Sequence, residues 1–248
     1  MPQNYHALGY ELTSNLRGYM HPLNDIGQDF VDFAKDAPGL VVDMGAAFGV
    51  ATIPILKKHI PVLACDMERA HLDELNNRTS PSLRSYLKLQ KGYFPKDFNF
   101  EEKSIGAILL SHILHFLSPI ELEEAFDKLA LWLAPQGKLF IACYSPYLAN
   151  MKDYLPLYEA RLAKGIRWPY WRLNNAHDYF SINGSHFENH EIPPTLNYLD
   201  LPLLTQALKS RGFSIEKAEY LDPDKNSIPL SARLDGREWC GVVGIKLA

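Results

Sequence analysis

The chain has 248 residues, 47% hydrophobic and 22% charged, the balance of a folded globular protein rather than a disordered chain or a fibre. Its 25 basic and 29 acidic residues leave a net charge of −4, which argues against a broad nucleic-acid surface. No apolar run approaches the ~20 residues of a membrane span. The opening Met1-Pro2-Gln3-Asn4 has neither the basic nor the apolar region of a secretory leader, so a cytoplasmic protein is expected. Cys65, Cys143 and Cys240 are expected to be reduced and buried, and no Cys/His cluster has zinc spacing.

Short apolar runs alternate with amphipathic segments, the pattern of a parallel sheet covered by helices. A first helix is predicted over 24–36, with Ile26, Phe30, Phe33 and Ala34 on one face. Leu40–Met44 reads as a buried strand, followed by a helix over 49–58 in which Pro54 must lie near the first turn. Strands over 62–65, 86–90 and 104–110 follow, with a helix over 68–77 between the first two. Ser118-Pro119-Ile120-Glu121 is a capping box with proline at the first helical position. Leu122, Phe126, Leu129 and Leu133 then form one buried stripe, and Pro135-Gln136-Gly137 breaks the helix before a strand over 138–143. Asp200 caps a helix that stops by Gly212, and 213–220 and 238–247 read as two last strands.

The segment 145–199 shows no clean period. Ten of its 55 residues are aromatic, Trp168 and Trp171 among them. A long irregular connection in a compact domain is commonly a lid or a binding segment, so a lid insertion is expected here. The chain is read as one domain over 1–248, with an N-terminal cap over 1–36.

Asp43-Met44-Gly45-Ala46-Ala47-Phe48-Gly49 follows the first long strand and opens a helix. It is placed where open α/β sheets bind ligands. A dinucleotide fingerprint starting at Gly45 fails at Ala47 and Val50, whereas the pattern acidic-x-G-x-G-x-G fails only at Ala47. Asp66, just past the next strand, is suited to take ribose hydroxyls as hydrogen bonds.

With these residues the chain resembles a class I S-adenosylmethionine-dependent methyltransferase of the bacterial small-molecule type, from about residue 17 onward. The resemblance is carried by Val41–Gly49, Asp66, Ser111-His112-Ile113-Leu114-His115-Phe116 and Leu133–Leu139. The last run is similar to the family's L-x-P-G-G-x-L, with Gln136 for its first glycine. The resemblance implies a doubly wound α/β fold with helices on both faces and an insertion after strand 5. Its mostly parallel seven-stranded sheet has the order 3-2-1-4-5-7-6, with strand 7 antiparallel. It implies S-adenosylmethionine as cofactor. Asp43 and the loop Gly45, Ala46 and Gly49 would border its methionine part, Asp66 and Met67 its ribose side, Gly92 and Tyr93 its adenine, and Ser111 its amino group. Many relatives carry an aspartate where this chain has Tyr93.

The turn after the fourth strand lacks the proline-rich motif of amino-methylating nucleic-acid enzymes, the Pro-Cys of cytosine-C5 enzymes and the paired glutamates of protein arginine methyltransferases. This leaves methyl transfer to an oxygen or nitrogen of a small molecule. RNA or protein methylation and a non-catalytic cofactor-binding scaffold are the alternatives. His115 is the candidate general base, because imidazole titrates near neutral pH. His112, Tyr144, Trp168 and Trp171 are candidate acceptor contacts. His112 and His115 have no carboxylate partner in the motif, so no metal is expected. Arg17, Tyr19 and His21 belong to an N-terminal segment that, by the resemblance, closes over the cofactor.

Overall fold

The computed structural model of the protein describes residues 5–14, 19–169, 171–172 and 195–248. Two short strands, β1 (Glu11–Leu12) and β2 (Tyr19–Met20), pair as a hairpin ahead of helix α1 (Asp25–Phe33). The strands β3 (Leu40–Met44), β4 (Val62–Asp66), β5 (Leu87–Lys91), β6 (Ile105–Ser111) and β7 (Leu133–Tyr144) then alternate with α2 (Thr52–Lys57), α3 (Arg69–Arg78) and α4 (Pro119–Trp132). After α5 (Leu155–Ala163), the two-residue strands β8 (Trp171–Arg172) and β9 (Thr195–Leu196) pair with each other. Helix α6 (Leu201–Lys209) and strands β10 (Phe213–Tyr220) and β11 (Trp239–Lys246) close the chain.

Seven strands form one sheet in the order β10-β11-β7-β6-β3-β4-β5. Counted along the chain this is 3-2-1-4-5-7-6, the order the resemblance implies. Strand β11 runs antiparallel to both β7 and β10, and the remaining pairs are parallel. Consecutive residues of β3, β4 and β6 are buried, so both faces of the sheet are covered. Helix α1 packs on β6 and β7, α3 on β4 and β5, and α6 on β10 and β11.

The local signals explain most boundaries. Asn24 Oδ1 accepts from Gly27 N, and both halves of the Ser118–Glu121 capping box are made. Asp200 caps α6 through Leu201 N. The junction of α4 and β7 differs from expectation. Strand β7 begins at Leu133, directly after α4, because Leu133 pairs with Ile105 before the register shifts and Lys138 pairs with Ala107. Gln136 has φ +67°, so the missing glycine of the motif falls on a left-handed turn inside that shift.

The described part of 145–199 is less irregular than its sequence suggests. Pro156 sits in the first turn of α5, where a missing N–H costs nothing, and Tyr154 and Tyr158 pack inward. Residues 170 and 173–194 lie outside the described residues. The three cysteines are buried and free, and no helix among the described residues is long and apolar enough to cross a membrane.

Candidate active site

A cavity of about 240 Å³ opens at the carboxyl ends of β3, β4, β6 and β7. Asp43, Gly45, Ala46, Asp66, Met67, Gly92, Tyr93, Ser111, His112, His115 and Tyr144 all line it. Gly49 does not. Its φ is +86°, and a Cβ there would meet Leu75 Cδ1 at 2.2 Å, so this glycine serves close packing of the loop on α3. The described part of 145–199 contributes no lining residue, Trp168 included. Trp168 stacks on Phe126 of α4, and its Nε1 donates to Glu123. The side chain of Trp171 lies outside the described residues. Asn197 brings the segment to the rim, donating its backbone N–H to His115 O and its side chain to Leu117 O.

One end of the cavity is acidic. The turn after β3 is fixed by Gly45 N and Ala46 N, both donating to Cys65 O. Gly45 has φ +81°, and a Cβ on it would strike Ile113. Ala47 holds φ +44°, a strained value for alanine, and its N–H donates to Asp66 Oδ2 at 3.0 Å. Asp66 Oδ1 accepts from Glu68 N at 2.9 Å and from His71 Nδ1 at 3.0 Å. Three of the roughly four lone-pair sites of this carboxylate are therefore used within the protein. Asp43 is buried and accepts from Thr52 Oγ1 at 2.6 Å; burial pushes its pKa up to about 6, with Asp66 adding to the rise. Tyr93 cannot supply the carboxylate common in relatives. Its backbone N–H is held by Asp97 Oδ2 at 2.9 Å, so Asp97 is already engaged in the turn.

The other end is a cluster of rings. His21, from the segment after β2, stacks on His112 at 4.5 Å between centroids and pairs through Nε2 with Tyr144 OH at 2.7 Å. His115 lies 4.7 Å from Tyr144 and 3.9 Å from Phe116. His112 has φ +55° and sits over Trp239, centroids 4.4 Å apart. Burial drives His21 and His115 down to about 3 and holds His112 well below the usual histidine value. All three imidazoles are therefore neutral at pH 7, rather than titrating near 6.5 as an exposed ring does.

Motif residues line both ends of this cavity, and some of their partners lie outside any motif. Thr52, which bonds Asp43, and His71, which bonds Asp66, carried no motif. His71 stands one helical turn into α3, the position from which a side chain folds back on the strand end. Asn24, the cap of α1, also donates its Nδ2 to Ser111 Oγ at 3.3 Å.

Residues 41–137 match the model of the methyltransferase domain family. No curated protein matches the chain in sequence. Among solved structures, an S-adenosylmethionine-dependent methyltransferase of Mesorhizobium loti superimposes with a TM-score of 0.57 at 18% identity, covering 84% of this chain and 90% of that one. A second such protein, from Listeria monocytogenes, gives 0.59 at 16% identity over 89% and 99% of the two chains. The 1,6-didemethyltoxoflavin-N1-methyltransferase of Burkholderia thailandensis, solved with 1,6-didemethyltoxoflavin and S-adenosylhomocysteine, gives 0.57 at 14% identity over 91% and 80%. Sheet order, glycine turn, acid after the second long strand and family match agree. Residues 41–137 thus match a methyltransferase domain, and the chain has the seven-stranded α/β fold of the solved S-adenosylmethionine-dependent methyltransferases.

The residues fit that cofactor. Asp43 is a buried carboxyl with a hydroxyl for company and no cation, which suits a ligand that brings positive charge of its own. Among the described lining residues there is no lysine or arginine to hold a pyrophosphate, and two carboxylates would repel one.

Proposed function

We propose that the protein transfers a methyl group to an oxygen or nitrogen of a small-molecule acceptor held against the ring cluster, with His115 taking the acceptor's proton. The observation that carries this reading is one continuous cavity with two carboxylates at one end and neutral imidazoles at the other. When bound, S-adenosylmethionine supplies a methyl group on a cationic sulfur, and the protein's task is to place the acceptor in line with it. Orientation of this kind is worth ~7–11 kcal/mol of barrier.

The electrons balance simply. The acceptor lone pair forms the new bond to carbon, the carbon–sulfur pair stays on sulfur, and the acceptor's proton must leave. A hydroxyl oxygen or a pyrrole-type ring N–H that has just become cationic is far more acidic than even a desolvated imidazolium, whereas an alkylammonium is not. His115 thus accepts the proton although burial holds its pKa at about 3. His21 and Tyr144, joined at 2.7 Å, orient the acceptor beside it.

The test is His115→Asn, assayed with labelled S-adenosylmethionine. Loss of a general base cuts kcat by ~10²–10⁴-fold. Affinity for S-adenosylhomocysteine should hold within ~0.5 kcal/mol, because the two ends of the cavity are built from different elements. A variant that keeps its kcat but melts lower makes His115 a packing residue on Phe116 and removes it from the chemistry.

A further inference from the structure

We infer that the acceptor is an uncharged, flat ring compound carrying an O–H or ring N–H, a phenol or nitrogen heterocycle, seated against His21, His112, His115 and Tyr144. This deepens the methyl-transfer reading above and rests on it.

Geometry comes first. His21 and His112 lie nearly parallel, 22° apart, with Tyr144 tilted beside both, so the acceptor end is walled by aromatic rings. Flat ligands gain most from such walls.

Unmet hydrogen bonds come second. His21 Nδ1, both nitrogens of His112, and His115 Nδ1 are buried without a partner among the described residues. A buried polar atom left unpaired costs about 1–3 kcal/mol. Four of them around one cavity mark a place where a ligand or its water supplies the partners. A neutral imidazole offers one N–H and one bare nitrogen. The complement is a group that both donates and accepts, as a phenolic O–H or a heterocyclic N–H beside a ring nitrogen does. No group of three or more His, Cys, Asp or Glu among the described residues is placed to hold a metal ion.

Charge comes third. Asp43 and Asp66 are the only charged side chains among the described lining residues, and both lie at the cofactor end. A carboxylate or phosphate at the ring cluster would lose its water with no cation in exchange, and an ammonium would meet no anion. The three imidazoles add no charge at neutral pH, since burial keeps all of them far below their usual range.

The experiment uses the full chain saturated with S-adenosylhomocysteine and titrated by calorimetry with 2-naphthol, 2-naphthoate and 2-naphthylmethylamine. These share one ring and differ in charge. 2-Naphthol should bind at least about tenfold tighter than either charged probe. That preference should fall about tenfold in His112→Asn, which tolerates the left-handed backbone, and in Tyr144→Phe. A charged probe that binds as tightly as 2-naphthol, 2-naphthol that does not bind, or a preference unchanged in both variants overturns the inference. A chain that binds no S-adenosylhomocysteine overturns the methyl-transfer reading itself. Cofactor binding with a charged ring preferred overturns only the acceptor class.

Discussion

Asp66 has two separable duties, and Asp66→Ala tells them apart. If the carboxylate served only the cofactor's ribose, the unliganded protein would not notice its loss. The structure shows otherwise, because Ala47 N, Glu68 N and His71 Nδ1 all bond to it at 2.9–3.0 Å, and the residue is 7% exposed. Hydrogen bonds to a charged group contribute ~1.5–3 kcal/mol each. The site borders an open cavity, so water can re-solvate part of what is lost, and the low end of the range applies. Three bonds then give about 4.5 kcal/mol. For a domain of this size each kcal/mol is worth about 2–4 °C, so the unliganded variant should melt lower by about 10 °C. His71→Phe removes one bond of the three and should cost about a third as much, with the two backbone bonds intact. The assay is calorimetric melting without ligand and with S-adenosylhomocysteine. An unliganded Asp66→Ala protein that melts within ~2 °C of the parent refutes the clamp, whatever happens to cofactor affinity.

Asp43, raised from 3.8 to about 6, favours its neutral form in the folded chain, so its contribution to stability is complete below pH 3.8 and is lost as pH rises through 6. Asp43→Asn should therefore match or exceed the parent's stability at pH 7.5, by up to ~3 kcal/mol, while weakening S-adenosylmethionine binding; denaturant titration at pH 4.5 and 7.5 measures the difference. Gln136 is exposed at φ +67°, so Gln136→Gly should stabilise by up to ~1 kcal/mol, read as a higher denaturant midpoint with unchanged slope. Trp168→Phe loses the bond to Glu123 but keeps the stack on Phe126, so it should cost about 1 kcal/mol of stability and leave S-adenosylhomocysteine affinity unchanged.

The sheet was legible because each of its strands is a short apolar run bounded by a local signal. The Ser118 box, the Asp200 cap and the Asn24 cap stop and start helices through neighbours a few residues away, and such signals survive in any one sequence. The acidic end of the cavity was legible for the same reason, since Asp43, Gly45 and Asp66 sit at strand ends whose positions the apolar runs fix. Trp168 was misplaced because aromatic enrichment reports burial without saying against what, and here the partner is Phe126, outside the cavity. The depressed histidine values were also out of reach. They come from burial among Tyr144, Trp239 and one another, contacts between residues as far apart as 21 and 239.

The same separation along the chain accounts for what the family match can and cannot say. Residues 41–137 hold the whole acidic end of the cavity and the turn with His112 and His115. The ring cluster is completed only by His21 before that stretch and by Tyr144 and Trp239 after it. His21 reaches the cluster because Asn24 holds the start of α1 against Ser111, and Tyr144 because β7 runs past the end of β6. The shared stretch thus builds the acidic end and half of the ring cluster, while His21 and Tyr144 on either side of it complete the lining. Changes at those two positions alter the lining of the ring cluster without touching the hydrogen bonds of Asp43 or Asp66, so the two ends of the cavity can vary independently in this architecture.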